Sequence, residues 1–201
     1  MSPRPHTTPR PRGRAGMAVI ELLIALAIGS MVLVAVAYCV DSSFRAYSIN
    51  QEQSDLMQRA RLSMYRLTTS IRTTSAHQPV TTSALTDFKL GLTTTDTAIT
   101  MLDYNDRPIS FKFDPVQSRL VAVDNVGTEY TLLRGVEKFE VKFEPMMSQE
   151  SKRVGGVYDR LLRATILITV KTAGNSVDVD EKVGAQKVTL STSVMPRRNV
   201  W

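Results

Sequence analysis

The chain opens on sixteen residues that are almost free of large apolar side chains, MSPRPHTTPRPRGRAG, and then turns abruptly to MAVIELLIALAIGSMVLVAVAYCV, residues 17–40, where Glu21 is the one charge. Twenty-four helical residues at 1.5 Å each reach about 36 Å, against roughly 30 Å for the hydrocarbon core of a bilayer. The pattern predicts a membrane-spanning helix that is apolar on every side, with a carboxylate near its front edge. Gly29 and Ser30 fall mid-span, where small side chains let a neighbouring helix approach.

Polar residues return after position 40, yet residues 41–75 contain neither Pro nor Gly. Met57, Ala60, Met64, Leu67 and Ile71 recur at spacings of three and four, the signature of one apolar stripe on a helix. Arg59, Arg61, Arg66 and Arg72 lie off that stripe. One helix is therefore predicted from about Met17 to about Thr74, closed by the Thr/Ser-rich stretch around Pro79. From about residue 85 the period becomes two. Ile109, Phe111 and Phe113 alternate with polar residues, as do Phe139, Val141 and Phe143, then Ala164, Ile166, Ile168 and Val170, and finally Val188, Leu190 and Val194. Such segments are half-buried strands of a mostly antiparallel sheet. Turn signals separate them at Asn105-Asp106, Asp124-Asn125 with Gly127, and Gly174-Asn175, while Met146–Asp159 and Ser176–Gln186 read as surface loops. The apolar sheet face needs a cover, and the stripe on residues 57–71 is the available one. The expected fold is α+β: a long N-terminal helix, membrane-spanning in its first half, packed on a β-sheet head. The expected organisation is a basic leader 1–16, an apolar helix 17–40, its amphipathic continuation 41–78, and a β-rich head 79–201.

Charge and composition narrow the chemistry. The net charge is +6, but Arg4, Arg10, Arg12 and Arg14 lie in the leader, which holds no acid, so the remainder is near +2. That is too mild to argue for nucleic-acid binding. Four leader arginines instead place the amino end in the cytoplasm and the head beyond the membrane. The single cysteine, Cys39, cannot form a disulfide framework within the chain, and with His6 and His77 it cannot build a Cys/His zinc site. Asp103, Asn105 and Asp106 do not have the spacing of an EF-hand loop, and Pro108 after them marks a turn. Glu137, Glu140 and Glu144 alternate with lysines as a solvated strand face does. No Ser-His-Asp arrangement is suggested. No metal and no cofactor are expected.

Three features meet at one place: a basic leader ending in Gly16, an apolar run beginning at Met17, and Glu21 five residues into that run. The segment GMAVIELLIAL, Gly16 to Leu26, strongly resembles the type IV pilin and pseudopilin superfamily. The resemblance implies that a prepilin peptidase cuts between Gly16 and Met17 and methylates the new amino terminus of Met17. It also implies that Glu21, at the fifth mature position, serves assembly. Met17 stands where the family usually has Phe. An ordinary secretory signal, with Ala35-Val36-Ala37 as its cleavage site, fits less well, because Glu21 interrupts the apolar region and the helical pattern continues past Ala37. A lipoprotein site at Cys39 is opposed by the bulky Tyr38 before it.

LLRGVEKFEVKF (Leu132 to Phe143), RATILITV (Arg163 to Val170) and VTLSTSVMPRRN (Val188 to Asn199) also resemble minor subunits of that superfamily. The nearest groups are the J-type minor pseudopilin of type II secretion and the W-type minor pilin. The expected role is thus a structural subunit, not an enzyme, that helps to initiate or tip a type II secretion pseudopilus or type IV pilus. Its partners would be the prepilin peptidase, other minor and major subunits, and the inner membrane, with the head in the periplasm. A pilin anchor carrying a head that recognises a secreted substrate or DNA is the alternative. A periplasmic enzyme on an uncleaved anchor is a third reading.

Overall fold

The computed structural model describes residues 19–171 and 187–197. By its contacts the chain divides into two compact units, Met1–Ile49 and Asn50–Trp201.

Helix α1 runs from Val19 to Thr73, close to the predicted limits, and contributes to both units. In the second unit it is followed by β1 (Ser75–Pro79), α2 (Thr82–Lys89), β2 (Thr94–Asp96), β3 (Ala98–Leu102), β4 (Pro108–Asp114), β5 (Arg119–Val123), β6 (Glu129–Arg134), β7 (Val136–Met146), α3 (Gln149–Val154), β8 (Arg160–Lys171) and β9 (Lys187–Val194). The strands divide between two antiparallel sheets, where the alternation alone suggested one. The five-stranded sheet has the order β1-β3-β4-β5-β6 and the four-stranded sheet β2-β7-β8-β9.

The two sheets and the helix share one core. Ala60, Met64, Leu67 and Ile71 of α1 pack with Ile99, Met101, Phe111 and Leu120 of the first sheet. The same cluster includes Phe139, Val141, Phe143, Ile166 and Ile168 of the second. The long β7–β8 ladder sets Phe139 opposite Ile168, Val141 opposite Ile166 and Phe143 opposite Ala164, so alternate residues of both strands reach the core together. Lys138, Glu140, Lys142 and Glu144 take the other side, with Glu140 bonded to Lys138 and Glu144 to Arg163.

The stripe on α1 differs from expectation at its start. Leu56, four residues before Ala60, packs against the core. Met57 is half-buried and lies instead beside Gln53 and Arg61. Ser63 is also on the buried side, 3% exposed, and its hydroxyl donates to the Arg59 and Leu132 carbonyls. A polar residue can occupy that side because its donor is satisfied.

Two regions depart from the sequence reading. The stretch around Pro79 forms β1 and then α2, which buries Ala84 and Phe88 at a spacing of four. The Phe88 ring meets Phe143 edge-on, with centroids 6.2 Å apart. The buried Asp96 carboxylate fixes the entry to this helix, accepting from the Val80 and Thr81 amides at 2.7 Å, the Thr81 hydroxyl at 2.8 Å and the Thr97 amide at 2.7 Å. The expected loop Met146–Asp159 contains α3, opened by Ser148, whose hydroxyl accepts from the Ser151 amide, and closed by Gly155 in the left-handed region. The expected turn at Gly174-Asn175 and the loop Ser176–Gln186 lie outside the described residues.

The chain makes its last passage from the first sheet to the second at Gly135. Its φ is +74°, and a Cβ there would lie 2.8 Å from the Lys171 carbonyl oxygen, so the crossing needs glycine on both counts.

Candidate functional site

The first unit's helix is the feature that most needs a function. No residue from Val19 to Ile49 is buried. An eighteen-residue window within α1 has a mean hydropathy of 2.7, so this helix is long and apolar enough to cross a membrane. Val19, Leu26 and Met31 are 77%, 68% and 73% exposed. Burial of one such side chain is worth about 1.5–3 kcal/mol. An exposed run of this length is stable only in a surrounding that supplies apolar contacts, either hydrocarbon or other helices.

The Ser30 hydroxyl donates to the Ala27 carbonyl at 2.8 Å and the Ser43 hydroxyl to the Cys39 carbonyl at 2.7 Å. Each satisfies its donor along the helix itself, which removes the cost of taking it out of water. Gly29 has no atom of the chain within 4 Å of where a Cβ would stand, so nothing in the protein's own packing requires glycine there. Aromatic Phe44 and Tyr47 follow the apolar run and are also exposed, beside an Asp41–Arg45 ion pair of 2.9 Å that marks the return of polarity.

Glu21 lies in the first turn of α1 as described, where a negative charge meets the positive end of the helix dipole. Its side chain is exposed. Gly16 and Met17, the predicted processing residues, lie outside the described residues, so Glu21 alone of the three can be placed. Cys39 is an exposed thiol on the same helix and has no disulfide.

The second unit holds one group whose environment the sequence did not reveal. His77 is fully buried just after α1, and burial pushes its pKa down to about 4, opposed by a hydrogen bond to the Ile71 backbone. The Thr74 hydroxyl donates to the Ser70 carbonyl and also lies 3.0 Å from His77 Nε2. The imidazole is thus held neutral at the junction of helix and sheet. Asp103, weighed as part of a turn, accepts from the Asn105 and Arg107 amides through Oδ1. Among the described residues no three His, Cys, Asp or Glu side chains converge.

Comparison with protein-family models, characterised proteins and solved structures finds no match to this chain.

Proposed function

We propose that this protein is a minor pilin or pseudopilin: a structural subunit anchored in the inner membrane, its head in the periplasm, that enters a pilus-like filament after a prepilin peptidase cuts between Gly16 and Met17. The observation that carries this reading is the fully exposed apolar half of α1, which bears a carboxylate in its first turn. The same helix goes on to supply core residues to the β-rich head.

The two halves of the helix then serve different tasks. Before assembly, lipid surrounds residues 19–40. In a filament, the same residues of neighbouring subunits replace the lipid, and Gly29 is where two backbones come nearest. A carboxylate in hydrocarbon costs roughly 2.5–3.5 kcal/mol at the bilayer centre and less near an edge. Processing creates an α-amino group at Met17, and pairing it with Glu21 of a subunit already in place offsets the cost of both charges. One such pair per subunit also selects a single axial register, as a buried polar residue does in a coiled coil.

Replacing Glu21 by Ala tests the reading. The variant should insert and be cleaved as the wild type is, because an apolar residue only eases insertion. Recovery of partner subunits with the detergent-solubilised protein should fall about tenfold, the effect of losing roughly 1.4 kcal/mol per contact. Undiminished recovery with normal filament numbers would remove the role given to Glu21.

A further inference from the structure

The second unit carries a groove of about 610 Å³ between α1 and β6 that the filament reading does not use. Its apolar lining comes from Leu56 and Leu62 of the helix and Leu132 of the strand, while the neighbouring Leu133 is buried in the core. The strand is shaped for it. Leu133 pairs with Leu120 and Thr131 with Val121, so Leu132 is a bulge with no partner on β5. Its carbonyl accepts instead from the Ser63 hydroxyl, at 3.2 Å, which ties strand to helix inside the groove. Among the described residues β6 is also the last strand of its sheet.

The groove is basic. Four cations in its wall face two carboxylates, a net charge of +2. Arg59 is taken up by Asp55, at 2.8 Å. Arg66, Arg134 and Lys171 make no ion pair among the described residues. The backbone keeps two of them close: the Lys171 amide donates to the carbonyl of Gly135, the residue after Arg134, at 2.9 Å.

We propose that this groove docks a short segment of a partner protein that combines apolar side chains with carboxylates. The apolar groups fill the space among Leu56, Leu62 and Leu132, and the carboxylates answer Arg66, Arg134 and Lys171. The volume falls in the range of about 300–1,000 Å³ found for small-molecule pockets, which is room for a few side chains. An uncharged apolar occupant would desolvate three cations without counter-charge, which is costly. A nucleic acid would leave the leucines unused. A second copy seated groove to groove would oppose two walls of the same sign.

The test places the photo-reactive residue p-benzoylphenylalanine at Leu62, 53% exposed, in the full-length chain in its native cells, with a second position at Val116, 91% exposed on the β4–β5 turn and outside the groove. Irradiation at position 62, and not at 116, should attach a segment of another protein that mass spectrometry shows to contain both apolar residues and at least a pair of carboxylates. Reversal of Arg134 and Lys171 together to Glu should lower the yield about tenfold, the usual order for a charge-matched contact. If reversal lowers the melting temperature, the Arg134→Gln and Lys171→Gln pair is read in its place and should lower the yield several-fold. Adducts confined to lipid, to nucleic acid or to a second copy of this chain would overturn the proposal. So would a yield no higher than at position 116, or one unchanged by the reading variant.

Discussion

His77 carries its chemistry in its surroundings. In an unfolded chain its imidazole has the ordinary pKa of 6.5, and in the fold burial lowers it to about 4. Above 6.5 both states are neutral and the group contributes nothing to the pH dependence. As pH falls from 6.5 towards 4, the unfolded chain takes up a proton that the folded chain refuses, so stability is lost across that window. Between pH 7 and pH 5 the loss is about 2 kcal/mol. Carboxylates held low in the fold, such as Asp114 beside the Arg119 side chain and Asp124 at the Thr128 amide, also cost stability as pH falls, so the imidazole is isolated by difference against a His77 variant. Urea denaturation of residues 50–201 should show that loss in the wild type and a much flatter pH dependence in His77→Gln. Equal slopes in the two would contradict the buried neutral imidazole.

At the scale of elements, the helix stripe holds the head together. Leu67 is fully buried in the cluster that joins both sheets. Leu67→Ala should destabilise residues 50–201 by about 2–5 kcal/mol, while Arg72→Ala, on the exposed side, should change stability by less than about 0.5 kcal/mol. Urea midpoints at constant m-value decide this. The stripe was legible because Ala60, Met64, Leu67 and Ile71 repeat at helical spacing over several turns. Its first member was ambiguous, since Leu56 and Met57 lie four and three residues before Ala60, and only the packing selects between them. The strands β4, β7 and β8 were legible from strict alternation. Which sheet each joins was not, because alternation defines two faces and says nothing of the partner across the ladder. Helix α2 was hidden in TSALTDFK, where Thr and Ser dilute the single Ala84–Phe88 repeat and the tertiary contact with Phe143 settles the matter. The groove needed a bulge at Leu132 and the return of β8 to Lys171, both products of long-range pairing.

For the molecule as a whole, one helix meets two demands. From Val19 to Ile49 it gives its own chain no buried side chain, and from Leu56 to Ile71 it supplies a wall of the head's core. The first stretch is long and apolar enough to cross a membrane. On the proposed function, a subunit that waits in a membrane and then packs among copies of the same helix needs it, and Glu21 would meet the amino group exposed by processing. Gly16 and Met17 are proposed as a processing pair by resemblance alone and lie outside the described residues, while Glu21 is placed on its exposed helix. The central claim is therefore about where the mature chain begins. The intact protein should be purified from cells with an active prepilin peptidase and weighed by mass spectrometry, with its amino-terminal peptide sequenced. The account predicts a chain beginning at Met17 and carrying one added methyl group on its α-nitrogen. A chain beginning at Met1, or one beginning at Tyr38 after signal-peptidase cleavage, would contradict it.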